Sequence, residues 1–463
     1  MAGSWVDLAE RIGADLHLDL AGPGGRRAVL TRTLREAVRS GRLAPGTRLP
    51  PYRSLAADLG LARNTVADAY AELVAEGWLV ARQGSGTLVA HRAAPPRSPS
   101  PPPAAPAAPG RPARYDMRQG VPDPGSFPRT AWLASARRAL NAAPNDAFGP
   151  GDPRGRPELR HALAAYLSRA RGVQADPGRI VVCSGVAHAL RLLCGGIVRG
   201  PLAVESYGLP FHRSILEAAS VRTRPLAIDE HGARTDELSR ERAVLLTPAH
   251  QFPTGGPLHP ERRASVVDWA RRRNALILED DYDGDFRYDR QPVGALQDLD
   301  PERVVYLGSV SKSLSPAVRL GWMVLPERLV GPVLAAKGER EAWAGVADQL
   351  TLADFIEHGS YDRHVRRMRQ RYRRRRDRLV RALAPHTTTG IAAGLHVVLN
   401  LPPEGEKRAL EAAREEGVAL DGLSPFRHPG AAMPALTGLV IGYAAAPDHA
   451  FGAALAALRR AVG

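Results

Sequence analysis

The sequence predicts a small α+β domain with a helix-turn-helix, followed by a larger α/β domain with a mainly parallel sheet and a smaller C-terminal subdomain. Three observations support this prediction. Residues 91–114 hold nine prolines and no periodic apolar positions, as an extended linker does. Residues 1–90 show helical apolar spacing followed by a two-stranded hairpin pattern. Residues 115–463 alternate short β-branched runs with helical patterns, which is typical of a parallel sheet covered by helices.

The composition of the 463 residues indicates a globular protein with an anionic partner. The formal net charge is +15, which favours polyanions such as nucleic acid; codon bias is the alternative, since arginine far outnumbers the three lysines. The two cysteines, Cys183 and Cys194, suit a reducing compartment and exclude a disulfide framework. No apolar stretch is long enough to span a membrane, and the N-terminal residues do not resemble a signal peptide. We therefore expect a cytoplasmic protein without a membrane partner.

The elements of the small domain follow from apolar spacing and from glycine punctuation. Gly60 and Gly77 each end a helical pattern, and a Gly-Ser-Gly turn joins two short strands. The predicted elements are a helix over 28–40, a strand over 47–49, helices over 54–59 and 62–76, and a hairpin over 78–90. The two helices on either side of Gly60 have helix-turn-helix form.

The second helix of this motif carries candidate DNA-reading side chains, because such a helix presents its N-terminal residues to the major groove. Here they are Arg63, Asn64 and Thr65, which suit guanine, adenine, and a thymine methyl or phosphate. Arg53, at the start of the preceding helix, is placed for a backbone phosphate, and the glycine-rich hairpin is a natural wing. The alternative is an ordinary helical hairpin with solvated arginines.

Nearly 60 residues of the small domain resemble the winged helix-turn-helix of GntR-type repressors. The resemblance is carried by SGRLAPGTRLP, RSLA, RNTV, AY, EGW and GSGT. It implies that the partner is an operator in double-stranded DNA. The residues implied to contact this DNA are Arg53, Arg63, Asn64, Thr65 and the wing residue Gly84.

Lys312 lies in SVSKSLSPAVRLGW, directly after a predicted strand, where a lysine amine can form a Schiff base with a carbonyl cofactor. Ser309, Ser311 and Arg319 flank it as candidate phosphate ligands, although a surface loop is the favoured interpretation of such a segment in isolation. Three further strands end in polar segments, namely ILEDDYDGDF, TPAHQFPTGGP and VVCSGVAHAL. Because ligands bind at the strand ends of open α/β sheets, the four segments predict one site.

Together these segments resemble the fold-type I, aspartate-aminotransferase-like enzymes that bind pyridoxal 5′-phosphate (PLP). The resemblance covers about residues 115–463 and includes FGPGDPRGRPELRHALAAYL. It implies that Lys312 carries the PLP, that Asp280 pairs with the pyridine nitrogen and that Tyr282 bonds the ring hydroxyl. Asp281 remains an alternative to Asp280. The residues implied to hold the phosphate are Val186, Ala187, Ser309 and Arg319.

The order of the two domains along the chain also helps to predict the function. A GntR-type winged helix, a proline-rich linker and an aminotransferase-like domain in one chain resemble the MocR subfamily of regulators, and HQFPTG and EDDYDGDFRY have forms typical of it. The resemblance implies a head-to-tail homodimer that regulates transcription and senses PLP, an amine or an amino acid through Lys312, without physiological turnover. The rival hypotheses are a working aminotransferase with an added DNA-binding module, and a dimer scaffold without PLP.

Three features depart from the aminotransferase pattern. The phosphate loop reads SGVAH where the enzymes have SGAQQ, and Leu209 stands where they stack an aromatic ring on the cofactor, with Tyr207 as a candidate substitute. Val440 stands where they grip the substrate carboxylate with an arginine. Arg427 is a candidate replacement, with a surface or phosphate-facing role as the alternative. Without that grip we expect the effector to be PLP itself or an amine that lacks an α-carboxylate.

Ten arginines fall within residues 363–378. On a helix, an apolar stripe would lie beneath them, formed by Val365, Met368, Tyr372 and Leu379. One interpretation is the first helix of the smaller subdomain with a solvated basic face. The other is a second DNA-contacting surface.

Overall fold

The computed structural model describes residues 20, 23–82, 86–91, 113–288, 293–338, 344–384 and 386–463. The chain divides into two compact units, Met1–Gly110 and Arg111–Gly463. Most of the predicted linker, residues 92–112, lies outside the described residues. Within the described ranges, no helix is long and apolar enough to cross a membrane.

The described part of the small unit contains three helices and a hairpin, as the sequence predicts. Its elements are α1 (Arg26–Arg39), α2 (Tyr52–Asp58), α3 (Arg63–Ala75), β1 (Leu79–Arg82) and β2 (Gly86–Val89). The strand predicted over 47–49 is present as a bridge from Arg48 to Leu88, beside the antiparallel pair of β1 and β2. Leu34 and Leu73 belong to the apolar core that the three helices share.

The large unit mixes strands and helices along its whole length. Its strands are β3 (Tyr115–Asp116), β4 (Ile180–Cys183), β5 (Leu202–Glu205), β6 (Thr223–Leu226), β7 (Ile228–Asp229), β8 (Gly232–Ala233), β9 (Ala243–Leu246), β10 (Leu276–Asp280), β11 (Val304–Ser309), β12 (Gly321–Val324), β13 (Thr388–Thr389), β14 (His396–Asn400), β15 (Val418–Ala419), β16 (Asp421–Gly422) and β17 (Gly438–Gly442). Its α-helices are α4 (Arg129–Ala142), α5 (Pro157–Arg171), α6 (Val186–Cys194), α7 (Pro210–Ala218), α8 (Pro260–Arg273), α9 (Glu327–Lys337), α10 (Val346–Glu357), α11 (Ser360–Ala382), α12 (Pro403–Glu415) and α13 (Asp448–Val462).

A seven-stranded sheet forms the centre of this unit, with the spatial order β4-β12-β11-β10-β9-β5-β6. The neighbouring pairs are parallel except for the two that β12 makes, because β12 runs antiparallel to both β11 and β4. The sequence predicts five of these strands from their β-branched runs. It does not predict β12, which has the sequence GWMV, or β6, which contains Pro225 and lies at the edge of the sheet, where a proline is tolerated.

A second, antiparallel sheet with the order β13-β14-β17-β16 forms the predicted C-terminal subdomain. All four residues of the predicted stripe of helix α11 are buried. Met368, Tyr372 and Leu379 pack into the core of this subdomain, while Val365 packs into a core cluster of the large sheet. In the large sheet, β4, β10 and β11 run parallel, so their carboxyl ends meet at one edge. Strand β9 runs parallel to them as well. The segments that follow these four strands are those that the sequence predicts to form the site.

Candidate DNA-binding and cofactor sites

The N-terminus of α3 presents polar side chains, while its other face joins the core. Arg63 and Asn64 are exposed, Thr65 is half-buried, and Tyr70 is buried in the core of the small unit. The residue before the helix, Ala62, provides no side-chain cap, and the first turn holds no acidic residue. Since the first N–H groups of a helix have no partner within it, this end of α3 favours an anionic ligand.

The other predicted DNA contacts lie on α2 and the hairpin. Arg53 is exposed in the first turn of α2, with its guanidinium 5.9 Å from the centre of the Tyr52 ring. Arg53, Arg63 and Asn64 thus all face solvent on the small unit. The wing residue Gly84 lies outside the described residues.

We expect Asn64→Ala to weaken binding to the operator and to leave binding to unrelated DNA almost unchanged. An asparagine that bonds a base edge contributes about 1–3 kcal/mol of discrimination, which is roughly a 5- to 150-fold loss. Arg53→Ala should weaken binding to both duplexes alike, since a phosphate contact carries no sequence information. Fluorescence anisotropy with the two duplexes at one salt concentration measures both effects. If Asn64→Ala weakened binding to the operator and to unrelated DNA by the same factor, as Arg53→Ala should, the role of Asn64 in reading a base would be contradicted.

Lys312 follows β11 at the carboxyl edge of the large sheet. Its Nζ donates a hydrogen bond to the carbonyl oxygen of Gly120 at 2.5 Å. Burial lowers the pKa of Lys312, and the carboxylates of Asp280 and Asp283 oppose this effect. A lower pKa increases the fraction of neutral amine, the form that attacks a carbonyl group. Gly120 has a φ of +75°, and a Cβ atom there would lie 2.9 Å from Nζ, so this glycine leaves room for the lysine.

The two adjacent carboxylates, Asp280 and Asp281, have different surroundings. Asp281 pairs with Arg171 through two hydrogen bonds of 2.6 and 3.0 Å, and it also accepts one from the hydroxyl of Tyr306. Asp280 is 4% exposed, and its Oδ1 has no hydrogen-bond partner among the described residues. Burial and nearby carboxylates raise the pKa of Asp280 to about 8. The carboxylate of Asp281 is therefore paired with Arg171 within the protein, whereas Asp280 has an oxygen that is available to a ligand.

Tyr282 lines the same cavity as Asp280. Its hydroxyl lies 2.9 Å from Nδ1 of His250, and that nitrogen lies 2.8 Å from Oδ2 of Asp283. Burial and the Asp283 carboxylate raise the pKa of Tyr282 well above its ordinary value, so the phenol keeps its proton and can donate it in a hydrogen bond. His250 lies in the segment HQFPTG, although the sequence analysis did not single out its side chain.

The residues expected to hold a phosphate lie near the start of α6. Val186 and Ala187 form its first turn, which has no side-chain cap and no acidic residue. Arg319 lies beside this turn, because its Nη1 would be 4.0 Å from a Cβ atom at Gly185. Ser309 ends β11, and its Oγ accepts a hydrogen bond from the N–H of Ser311 at 3.4 Å. Free helical N–H groups beside a guanidinium are suited to a phosphate.

Two residues that the sequence analysis did not identify, Glu205 and His212, line the cavity of Asp280 and Tyr282. Burial and the charge of Lys312 lower the pKa of His212 to about 3, so its imidazole is neutral. Burial raises the pKa of Glu205 to about 7. The position of Glu205 at the end of a strand was a usable signal, whereas His212 lies within a helix and only the fold brings it to the site.

The departures from the aminotransferase pattern are visible at the same edge of the sheet. Leu209 and Tyr207 both line the cavity. The ring of Tyr207 is fully buried, and its hydroxyl accepts a hydrogen bond from the N–H of Leu436 at 2.7 Å. Val440 is fully buried in β17, opposite Val398 of β14. The aliphatic side chain of Val440 offers no hydrogen bond to a ligand carboxylate.

Two families match the chain. The gntR family of bacterial regulatory proteins matches residues 27–89, and the aminotransferase class I and II family matches residues 119–459. The probable rhizopine catabolism regulatory protein MocR of Rhizobium meliloti is 32% identical over 443 residues, which cover 90% of this chain and 89% of that protein. The chain belongs to the MocR subfamily of GntR-type transcriptional regulators.

Other relatives of this MocR-type regulator agree with that assignment. The pyridoxine biosynthesis transcriptional regulator PdxR of Corynebacterium glutamicum is 32% identical over 375 residues, which cover 80% of this chain and 82% of that protein. A crystal structure of the Pyrococcus horikoshii kynurenine aminotransferase has a TM-score of 0.68 at 22% identity, covering 75% of this chain and 90% of that one. The large unit has the fold-type I aminotransferase fold. The regulator binds DNA through its winged helix and binds PLP as its cofactor.

The side chains at the site of this MocR-type regulator match the chemical groups of PLP. The amine of Lys312 is suited to an aldehyde, and the unpartnered Oδ1 of Asp280 is suited to a protonated pyridine nitrogen. The protonated phenol of Tyr282 is a donor for the ring oxygen. The uncapped first turn of α6, with Arg319 beside it, is suited to the phosphate.

We expect the contribution of Asp280 to make the free energy of unfolding of the PLP-free regulator fall, relative to that of Asp280→Asn, as the pH rises from about 4 to about 8. The pKa of Asp280 is raised from 3.8 to about 8, so the folded chain holds this proton more tightly than the unfolded chain. Folding is therefore favoured at low pH and loses this contribution as the pH passes through the folded pKa. Urea denaturation of the wild type and of Asp280→Asn across this range measures it. The other buried titratable groups, such as Glu205 and His212, are present in both proteins. Parallel pH profiles of the two proteins would therefore contradict the prediction.

Proposed function

We propose that this regulator senses a small amine without an α-carboxylate, or PLP itself, through a Schiff base at Lys312, and that it has no physiological transaminase turnover. The observation that supports this proposal is Val440, which stands where the resemblance implies an arginine for the substrate carboxylate. Val440 is fully buried and belongs to an apolar core cluster. An α-amino acid would find no cation at that position.

Arg427, the candidate replacement, already has partners within the protein. Its Nη2 donates to the carbonyl oxygens of Ala431 and Met433, at 2.7 and 2.8 Å. Binding a carboxylate through Nη2 would require at least one of these hydrogen bonds to be given up, at a cost of about 0.5–1.5 kcal/mol each. Nε of Arg427 is buried and has no hydrogen-bond partner among the described residues. The bonds of Nη2 support a structural role for Arg427.

The other side chains have roles that follow from their protonation states. When bound, PLP supplies an aldehyde that forms a Schiff base with a primary amine. In the proposal Lys312 provides that amine, Asp280 holds the ring nitrogen and Tyr282 donates to the ring oxygen. Val186, Ala187, Ser309 and Arg319 hold the phosphate. An effector amine then competes with Lys312 for the same carbon, which ties the state of this lysine to the ligand.

The proposal also includes the assembly and the DNA partner. We expect a cytoplasmic, head-to-tail homodimer that binds two half-sites of an operator in double-stranded DNA. Effector binding changes the affinity for DNA only if the protein with effector and the protein without effector favour different arrangements. The DNA contacts are assigned to Arg53, Arg63, Asn64, Thr65 and Gly84.

The test compares ethylamine with alanine, which differs from it by one carboxylate on the carbon that bears the amine. The full-length regulator is loaded with PLP, each compound is added, and the visible absorption spectrum is recorded together with any keto acid formed. We expect ethylamine to shift the spectrum at least as effectively as alanine, with no turnover in the presence of a keto-acid acceptor. Sustained keto-acid production from alanine would establish the aminotransferase hypothesis in its place. Absence of any PLP-dependent band would favour the scaffold without PLP.

A further inference from the structure

A groove in the large unit, lined mainly by arginine side chains, lies apart from the cofactor-site residues. It has a volume of about 990 Å³. One wall is the start of α4 with the residues before it, and the other is one side of α11. The charged residues that line this arginine groove are Arg129, Arg367, Arg371, Arg374, Arg375, Arg378 and Asp448.

The sequence of α11 places these arginines in a row. The apolar stripe of α11 is buried, which fixes the direction in which the remaining side chains point. Spacings of four, three and four residues place four arginines on one face of the helix, next to the buried stripe. These are Arg367, Arg371, Arg374 and Arg378. At 1.5 Å per residue this row is about 16 Å long. The groove is therefore a linear array of positive charges.

Four arginines of the groove differ in whether they are engaged within the protein. Arg371 contacts Asp123 and Asp448, and Arg375 is buried and contacts Asp448 and the carbonyl oxygen of Tyr443, so these two hold α11 against its neighbours. Arg374 and Arg378 are exposed. The guanidinium of Arg378 lies 5.3 Å from the centre of the Phe451 ring. The charges at positions 374 and 378 are therefore accessible to a partner.

The opposite wall adds to the attraction for anions. Helix α4 begins at Arg129 after Pro128, with no side-chain cap and no acidic residue in its first turn.

The wall formed by α11 also has an unsatisfied donor. Nε of the buried Arg375 has no hydrogen-bond partner among the described residues. The charged lining thus consists of six arginines and one aspartate, and that aspartate is shared by two of the arginines.

We propose that the arginine groove binds the sugar-phosphate backbone of duplex DNA, as a second contact beyond the bases read by the winged helix. Pockets for small ligands are mostly apolar with a few polar groups, whereas a groove lined by six arginines, four of them in one row, favours an extended polyanion. A regulator that already binds DNA brings such a polyanion into its vicinity. Because arginine contacts to phosphates do not read bases, this surface would add affinity and salt dependence rather than sequence preference.

The experiment compares two double variants with equal loss of charge in the full-length, PLP-loaded regulator. Arg374→Ala/Arg378→Ala removes two of the exposed charges of the groove. Arg366→Ala/Arg373→Ala removes two exposed arginines of the same helix that do not line the groove. Binding is measured against salt concentration on an operator duplex, selected from random DNA, of about 60 base pairs and on its central part of about 30 base pairs. Retention of the PLP absorption band in both variants shows that the large unit is folded.

We expect the groove variant to reduce the magnitude of the salt slope on the long duplex by about 2, because each lost phosphate contact contributes about 0.9. The control variant should leave the slope within about 0.5 of the wild type. On the short duplex the two variants should behave alike. Equal changes for both variants on the long duplex would reduce the effect to net charge and overturn the proposal. An unchanged slope for the groove variant would also overturn it, leaving the groove as a solvated surface.

Discussion

Replacing Lys312 by alanine should abolish the visible absorption band that PLP gives with this regulator. The chain has three lysines, and among them Lys312 is the one at the carboxyl edge of the large sheet, with its Nζ near Gly120 and in the field of Asp280. Without that amine no lysine of this site can form the Schiff base, so the loss should be complete rather than partial. The measurement is the absorption spectrum after addition of PLP and removal of the excess by dialysis.

Lys407→Ala is the matched control, because Lys407 is exposed on α12 and should leave the band unchanged. Lys337 is a poorer control, since its Nζ donates to the carbonyl oxygens of Pro153 and Val182 and is part of the structure. A band that persists in Lys312→Ala and disappears in Lys407→Ala would move the cofactor site elsewhere. Binding of the Lys312→Ala protein to operator DNA, with and without PLP, would then show whether the cofactor acts through this lysine.

The second large effect is expected from Asp281→Ala, which should lower the free energy of unfolding by about 3–5 kcal/mol. Asp281 and Arg171 are both buried, with side-chain exposures of 2% and 5%. Removing the carboxylate leaves the Arg171 guanidinium as an uncompensated buried charge and also removes the acceptor of the Tyr306 hydroxyl. Urea denaturation, followed by a signal from the large unit, measures the loss.

The control for Asp281→Ala is Asp236→Ala, because Asp236 pairs with Arg234 on the surface and such pairs contribute little. Asp280→Asn provides the contrast within the site. It removes a carboxylate whose Oδ1 has no partner among the described residues, so it should weaken PLP binding without a comparable loss of stability. The reverse outcome, with Asp281 needed for PLP and Asp280 for stability, would exchange the roles assigned to the two residues.

The two proposals describe different ways for this regulator to bind ligands. The cofactor site offers a few groups of fixed protonation state, such as the neutral His212 and the protonated phenol of Tyr282, which suit one small molecule. The arginine groove offers a row of exposed charges, such as those of Arg374 and Arg378, that suit a repeated anion. An effector at the cofactor site and DNA at the arginine groove would both bind to the large unit. If one changes the affinity for the other, the reverse effect must have the same size.

Much of the architecture could be predicted from local sequence patterns. The helix-turn-helix, the hairpin and five strands of the large sheet are confirmed, because each is encoded by apolar periodicity and glycine punctuation within a few residues. The prediction missed β6 and β12, whose sequences TRPL and GWMV lack the β-branched character of the other strands. Their pairing with strands distant in the chain is what makes them part of the sheet.

By itself the sequence determined the order of the domains, the family, and the segments that contain Lys312, Asp280 and Tyr282, because short motifs carry that information. Only the tertiary structure decided which of Asp280 and Asp281 is free for a ligand, since Arg171 lies 110 residues away from its partner Asp281. It also brought Gly120 to Lys312 across 192 residues, and it separated the buried Arg375 of α11 from the exposed Arg374. The protonation state and accessibility of a side chain depend on such distant neighbours, and no local pattern in the sequence encodes them.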